Sequence, residues 1–315
     1  MSAVKLTVYC LTYNHEKYIR QTLESFLNQK TKYRFKVIVH DDASTDNTQC
    51  IIKEYANRYP DIIVPILQTE NQYSQGVDVV KQFILPNIEG DYIATCEGDD
   101  YWIDEKKLDK QVDFLEGHDE YSACVHNSVF YNMRTGEKKP FNSNVTNEQD
   151  MQLENVVDGV TGVFHTSSVV YRKKIAFQEH NFLNCMKGVG DYPKAILMAI
   201  NGKIRYFPQQ MSVYRFASTS TSWTSKNTGK SSIQNRISYR EAEVNMLQQL
   251  LNENPELGKV VQPAINKKKF DTCVLRGDIG NIRKDKELRK LYKKATLKKK
   301  INIMGHVVIS KIKWK

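Results

Sequence analysis

The stretch Tyr92-Ile93-Ala94-Thr95-Cys96-Glu97-Gly98-Asp99-Asp100-Tyr101-Trp102 decides how the chain is read, because an apolar run stops abruptly in three acids grouped around one glycine. Gly90-Asp91 before the run and Gly98 after it bound a short segment of apolar and β-prone residues, which predicts a buried central strand with acids at its carboxyl end. In an open α/β sheet that end opens the crevice where ligands bind. Three carboxylates within four residues repel one another, and a cation relieves that repulsion. All-oxygen ligation suits Mg²⁺ or Mn²⁺, which in turn would hold a diphosphate. The competing reading is an acidic surface turn that caps a helix.

Working outward, strand, polar turn and helix repeat. Leu6 to Leu11 reads as a first strand, Thr12-Tyr13-Asn14-His15 as the turn leaving it, and Ile19, Leu23, Phe26 and Leu27 as a helical stripe capped by Asn14 or Thr12. Phe35 to Val39 is a second strand ending in His40-Asp41-Asp42-Ala43-Ser44-Thr45-Asp46-Asn47-Thr48, with a helix from Ile51 to Tyr59 behind it. Ile62 to Leu67 makes a third strand, and Gly76 to Leu85 a helix that Pro86 terminates. This alternation predicts a parallel, right-handed βαβ sheet. No G-x-G-x-x-G or G-x-x-x-x-G-K-[ST] follows these strands, so the phosphate cradle of dinucleotide and P-loop proteins is missing and a metal must take its place. The turn from Asp41 to Thr48 has calcium-loop spacing but lacks the glycine at its sixth position and the acid at its twelfth. Ser44, Thr45 and Asp46 suffice as a helix cap, whereas the pair Asp41-Asp42 stands at the carboxyl end of a second parallel strand, where a carboxylate can accept from a nucleobase N–H or a ribose hydroxyl.

Cys10-Leu11-Thr12-Tyr13-Asn14, Asp41-Asp42-Ala43-Ser44-Thr45-Asp46 and Glu97-Gly98-Asp99-Asp100, in that order and spacing, resemble the family 2 glycosyltransferases of the GT-A fold over about residues 5 to 220. The resemblance implies an α/β architecture: a GT-A, Rossmann-like, mostly parallel sheet flanked by helices, with a helical C-terminal extension. It implies a nucleotide-sugar-binding half over 1–105, an acceptor-binding half over 106–225 and a basic helical extension over 226–315. The implied reaction is an inverting transfer from a nucleotide-sugar, usually a UDP-sugar, with Mg²⁺ or Mn²⁺ bridging the diphosphate. By this likeness Thr12, Asn14 and Glu16 line the nucleotide pocket and Asp41 and Asp42 reach the uracil and ribose. Glu97 and Asp99 would lie along the donor, with Asp99 or Asp100 on the metal. Glu97 stands where many relatives have aspartate.

The middle of the chain supplies the acceptor side. Leu108, Val112 and Leu115 repeat at helical spacing, which makes Lys106, Lys107 and Lys110 a solvated face. Ser122 to Tyr131 and the turn Met133-Arg134-Thr135-Gly136 suggest a hairpin, and residues 137 to 158 read as an irregular flap. Val160 to Phe164 and Val169 to Tyr171 look like strands flanking His165-Thr166-Ser167-Ser168, whose imidazole and hydroxyls either contact sugars or satisfy a turn. Asp191 precedes a helix from Pro193 to Ile200. Spacing alone makes it an N-cap; the resemblance makes it the general base, and it is the only acid between Glu179 and Glu241. After a strand from Lys203 to Phe207, the run Met211 to Ala217 is similar to the family's Y-R-x-H element. Ala217 replaces the histidine, and Arg215 is a candidate for the diphosphate or for a structural ion pair. Ser218 to Ser232 reads as a loop, Ile233 to Leu251 as a helix, and 256 to 300 as helical or mixed.

With 315 residues, 40% hydrophobic and 26% charged, the composition is that of a soluble chain with a substantial core. No run approaches the roughly 20 apolar residues of a membrane span, and the first ten residues are strand-like rather than a signal, so a cytoplasmic location is expected. Cys10, Cys50, Cys96, Cys124, Cys185 and Cys273 form no C-x-x-C pair and read as reduced thiols. The net charge of +10 is concentrated at the end: residues 283 to 315 hold 13 of the 46 Lys and Arg and two of the 36 acids, leaving 33 against 34 before them. Lys298-Lys299-Lys300 with Ile301, Ile303, Met304, Val307, Val308 and Ile309 suit an anionic membrane surface. The expected protein is therefore peripheral on the inner face of the plasma membrane, acting on a glycan or lipid-linked glycan acceptor. Nucleic acid would use the same charge, but Tyr292 and Trp314 are a poor stacking platform and no nucleic-acid partner is expected. A sugar nucleotidyltransferase, the other enzyme class with an acidic metal site, would carry a glycine-rich basic loop that Cys10 to Tyr18 lacks.

Overall fold

The computed structural model describes residues 3–159, 163–186, 190–218, 233–297 and 299–300. They fall into two compact units, Met1–Gln178 with Lys194–Ser220 and Glu179–Pro193 with Thr221–Lys315.

The first unit opens with β1 (Leu6–Thr12), α1 (Ile19–Leu27), β2 (Phe35–Asp41), α2 (Thr48–Arg58) and β3 (Ile63–Leu67), followed by β4 (Tyr92–Thr95). β1 lies parallel to both β2 and β4, with Thr12 opposite Asp41 and Tyr9 opposite Thr95, and β3 extends the parallel set beyond β2. Leu6, Val8 and Cys10 alternate onto one face of β1 and meet the α1 stripe of Ile19, Leu23 and Phe26, all without exposed surface. Alternation in the strand and 3.6-residue spacing in the helix are therefore two halves of one core. The helix expected over Gly76 to Leu85 is replaced by a 3₁₀ turn, a π-helical turn at Val80–Ile84 and a second 3₁₀ turn at Leu85–Asn87. Gly76 adopts φ 77° at one end, and Pro86 has no N–H to continue a regular ladder at the other.

The acid-bearing stretch is not one strand. β4 ends at Thr95, the chain turns through the acids, and Tyr101–Trp102 forms β5, antiparallel to a distant strand. Next come α3 (Lys107–Glu116), β6 (Tyr121–Asn132), β7 (Lys138–Pro140), β8 (Gln149–Met151), α4 (Leu153–Val156), β9 (Val170–Arg172), α5 (Lys173–Ala176), α6 (Asp191–Ile200) and β10 (Lys203–Phe216). The sheet runs β3-β2-β1-β4-β9-β6-β10-β5, with β7 beside β6 and β8 beside β10. It is mixed rather than mostly parallel, because β9 inserts antiparallel between β4 and β6, while β6 and β10 are again parallel. The nucleotide-side half keeps the expected parallel order, and the arrangement is a curled GT-A sheet flanked by helices.

Several local expectations change. The hairpin of β6 and β7 forms as read, but residues 137 to 158 hold β7, β8 and α4 instead of an irregular flap. The strand expected over Lys203 to Phe207 runs on to Phe216 as β10, with register shifts between Phe207 and Ser212. Phe164 is not in a strand, and residues 160–162 lie outside the described residues. Asp191 is the first residue of α6 rather than its predecessor. Lys107 leaves the solvated face: it shares the buried side of α3 with Leu108, Gln111, Val112 and Leu115, and its Nζ sits 4.2 Å from the centre of the Trp102 ring.

The second unit contains α7 (Ile233–Glu253), α8 (Gly258–Arg276), α9 (Ile279–Lys284) and α10 (Lys286–Lys294). Gly277, at φ 67°, ends α8 in the left-handed conformation and lets the Asp278 N–H return to the Cys273 carbonyl at 2.9 Å. Phe270, Cys273 and Val274 of α8 then pack with Ile282 and Leu288. The start of the basic segment thus belongs to a folded core. Residues 301–315, with the apolar positions expected to meet a membrane, lie outside the described residues, as do 219–232 of the expected loop. Among the described residues no helix is long and apolar enough to cross a membrane.

Candidate active site

Three turns leave the carboxyl ends of β1, β2 and β4 and are tied to one another through the backbone. The Asp42 N–H donates to the Thr12 carbonyl at 3.0 Å and the Gly98 N–H to the Leu11 carbonyl at 2.9 Å. A Cβ on Gly98 would lie 2.7 Å from Thr12 Cβ and Oγ1 and 2.9 Å from His15 Nδ1, so only glycine permits this approach. Asn14, at φ 56°, donates from its N–H to Ser44 Oγ at 2.8 Å and accepts at Oδ1 from the Thr45 N–H at 2.8 Å. Glu16 donates from its N–H to Asp46 Oδ2 and accepts at Oε2 from the Asn47 N–H, each at 3.1 Å. Asn14 and Glu16, two of the three residues expected in the nucleotide pocket, therefore stitch one turn to the next. Thr12 Oγ1 is buried and has no hydrogen-bond partner among the described residues.

Asp41 has no exposed surface and accepts from the Ser44 N–H at 2.9 Å, Gln49 Nε2 at 2.7 Å and Ser44 Oγ. Asp42 is almost as buried and receives the Gln72 and Tyr73 N–H groups at 2.8 and 3.1 Å. These bonds order the loop after β3. A carboxylate has about four acceptor positions, so Asp42 keeps capacity for a ligand.

The acid cluster divides in two. Asp99 Oδ2 accepts from Ser218 Oγ and lies 3.8 Å from His15 Nε2. Asp100, with no exposed surface, turns the other way: Oδ1 accepts from the Arg215 N–H at 2.8 Å, while Oδ2 has no hydrogen-bond partner among the described residues and faces His165 Nδ1 at 3.6 Å. Donor atoms of Glu97, Asp100 and His165 all lie within 4.8 Å of one another. Burial, reinforced by the charges of Asp99 and Glu97, pushes the Asp100 carboxyl well above the usual carboxylate range. A buried carboxylate oxygen without a donor, beside a second carboxylate and an imidazole, is a donor set that suits a divalent cation, and Mg²⁺ or Mn²⁺ fits it.

Arg215 is buried, with its guanidinium between the Tyr101 and Tyr18 rings, 4.3 and 5.0 Å from their centres, and bonded to the Asp99 carbonyl and Gln21 Oε1. It clamps the acidic turn onto β10 and α1 through these bonds, none of which is an ion pair. Tyr18 OH reaches the Ser218 carbonyl at 2.7 Å, closing the same corner.

Thr12, Asn14, Glu16, Asp41, Asp42, Glu97, Asp99 and Asp100 thus belong to linked strand ends and turns of the first unit, with Arg215 reaching them from β10. Asp191 is exposed at the start of α6 and falls in the second unit. His15, Tyr18, Gln21 and Ser218 were missed. His15 directly follows the Asn14 motif, and Ser218 follows Ala217, so both lay beside a motif that was read. Nothing in the spacing linked His165 to Asp100, because strand β9 brings them together only through the sheet.

The sequence model "Glycosyl transferase family 2" matches residues 7–177. An uncharacterized protein of Mycobacterium tuberculosis is 36% identical over 211 residues, 67% of this chain and 58% of that protein. This chain therefore spans little more than half the length of such a relative. The chain is also similar to TarS of Staphylococcus aureus, a poly(ribitol-phosphate) beta-N-acetylglucosaminyltransferase, at 34% identity over 116 residues, 36% of this chain and 19% of TarS. The crystal structure of TarS 1-349 in complex with UDP-GlcNAc superposes with TM-score 0.62 at 18% identity, over 86% of this chain and 81% of that one. The mannosyltransferase PcManGT from Pyrobaculum calidifontis, in complex with GDP-Man and Mn²⁺, superposes with TM-score 0.51 at 16% identity, over 98% and 88%.

Proposed function

Because the chain belongs to glycosyl transferase family 2, we propose that it transfers a sugar, with inversion, from a UDP-sugar to a glycan acceptor in surface-polysaccharide synthesis. The observation that carries this reading is the convergence of the turns after β1, β2 and β4, where the half-satisfied Asp100 and its neighbours Glu97 and Asp99 border a crevice shaped by Thr12, Asn14, Glu16 and Asp42. A UDP-GlcNAc complex of TarS supports the choice of uridine, and a Mn²⁺ complex of PcManGT supports a divalent ion.

In this reading Thr12 and Asp42 meet the nucleoside, Asn14, Glu16 and Asp41 hold the turns that position it, and Glu97 and Asp99 lie along the sugar and diphosphate. Asp99 and Asp100 contribute the carboxylates for Mg²⁺ or Mn²⁺, which when bound offsets the charge developing on the departing diphosphate. Arg215 fixes the acidic turn that carries these carboxylates. Asp191, at the amino end of α6, accepts the proton of the acceptor hydroxyl as that oxygen attacks the sugar carbon and the diphosphate leaves from the opposite side. The acceptor is lipid-linked, and the basic segment 283–315 holds the protein peripherally on the inner face of the plasma membrane.

Screening nucleotide-sugars for metal-dependent hydrolysis tests the reading. UDP-sugars should be hydrolysed and EDTA should stop turnover; full activity in EDTA overturns the metal role. Asp191→Asn should lose about 10²- to 10⁴-fold in transfer rate while binding the UDP-sugar nearly as well as the parent. An equal loss of donor affinity would make Asp191 a helix cap only.

A further inference from the structure

The sequence offers His165 as a sugar contact or a turn residue. We propose that it is a direct ligand of the divalent cation, adding an imidazole to the carboxylate site that includes Asp100 and Glu97. The assignment rests on the metal-dependent reading above and adds to it an imidazole from another part of the chain.

Four observations carry it. First, the Asp100 oxygen that faces His165 Nδ1 at 3.6 Å is fully buried and has no hydrogen-bond partner among the described residues. Second, Nδ1 is held beside that oxygen by Ser167, whose backbone N lies 3.3 Å from it. Third, the ring is fixed from several sides. It stacks on Tyr214 at 4.0 Å and 20° and meets the edge of Phe141 at 5.6 Å. Ser167 Oγ lies 2.9 Å from Nδ1 and is itself tied to Ser212 Oγ at 2.9 Å. Such support lowers the entropy lost when a side chain becomes a ligand. Fourth, the separations match one ion: adjacent and opposite ligands about 2.1 Å from a common cation lie about 3 and about 4.2 Å apart. The Asp100–His165 distance falls between these values, and the whole set lies within 4.8 Å.

An imidazole also changes which metal is held. Carboxylate and water ligands suit Mg²⁺ and Mn²⁺ alike, whereas a nitrogen ligand favours the transition metal. The site should therefore prefer Mn²⁺ to Mg²⁺.

The test is pulsed electron paramagnetic resonance and calorimetry on the full chain with Mn²⁺, alone and with UDP. The parent should show ¹⁴N modulation from a bound imidazole. His165→Gln should lose it, bind Mn²⁺ about 10- to 100-fold more weakly, and bind Mg²⁺ with a smaller loss. His165→Asp should regain Mn²⁺ affinity through oxygen without the ¹⁴N signal, which separates ligand loss from misfolding. The ¹⁴N signal should persist in His15→Gln. Unchanged ¹⁴N modulation in His165→Gln, or its loss in His15→Gln instead, overturns the assignment. If the parent and Asp100→Asn bind Mn²⁺ equally weakly, the metal-dependent reading itself fails. If Asp100→Asn loses Mn²⁺ and His165→Gln does not, only the role of His165 fails.

Discussion

Two single residues show how tightly the crevice and its floor are built. Gly98 has no room for a side chain against Thr12 and His15. Gly98→Ala should cost about 1 to 3 kcal/mol by overpacking and weaken UDP-sugar binding by displacing the Thr12 turn; calorimetry showing parental affinity would contradict this. Lys107 is buried with no hydrogen-bond partner for its Nζ among the described residues, and burial lowers its pKa from the ordinary 10.5 to about 7. Below about pH 7 it is protonated in both states and the folded chain carries the full cost of the buried charge. Between there and 10.5 the unfolded chain holds a proton that the folded chain does not, so this group makes stability rise with pH across that window. Lys107→Met should remove that slope and stabilise the protein at pH 6 by about 1 to 4 kcal/mol, with the gain shrinking toward pH 10. Urea unfolding at several pH values checks it, and an unchanged slope would rule Lys107 out as its source.

Among elements, charged contacts tie α7 to α8, and one of them is buried. Glu243 Oε1 and Lys268 Nζ meet at 2.8 Å with only 3% of each side chain exposed, Arg240 adds a bond to Glu243 Oε2 at 2.6 Å, and Lys268 lies 4.9 Å from the centre of the Tyr192 ring. Glu243→Gln leaves the ammonium buried without its counter-charge, and a loss of about 3 to 5 kcal/mol is expected. The double variant Glu243→Leu with Lys268→Met should recover most of it. Denaturant unfolding decides, and a single-variant loss under about 1 kcal/mol would mean that water reaches the pair. Neither helix announces this contact in sequence: Glu243 and Lys268 sit among many surface-like charges, and only the packing of α7 on α8 desolvates them. The β1–α1–β2–α2 repeat, by contrast, is legible because each element carries its own period of apolar residues.

For the whole molecule, the basic end combines core packing with exposed charge. Ile282 and Leu288 pack with Phe270, Cys273 and Val274, so a cut at residue 283 would remove part of a core as well as charge. Arg283, Lys284, Lys286, Arg289, Lys290, Lys293 and Lys294 are nonetheless exposed. Each cation near an anionic leaflet contributes about 1 kcal/mol. The full chain should sediment with anionic liposomes at low salt and be released at high salt. Deletion of 301–315 should weaken sedimentation by removing the apolar positions, while leaving donor hydrolysis intact. A deletion variant that still pellets as the parent does would exclude these residues from the attachment, and a full chain that never pellets would exclude the membrane role.

Features that depend on near neighbours are legible in the order of residues alone. These are the alternation and helical stripes of the parallel half, the placement of acids at the end of β4, and the order of motifs that marks the family. Tertiary structure decided what depends on residues far apart in the chain. The antiparallel insertion of β9 carries His165 to Asp100, and the pairing of β5 with β10 sets Arg215 over the acidic turn. Packing of α3 buries Lys107 with its Nζ over the Trp102 ring. Periodicity reports which face of an element is apolar, but the desolvation of a charge or the meeting of an imidazole with a carboxylate is set by the partner surface, which no local pattern encodes.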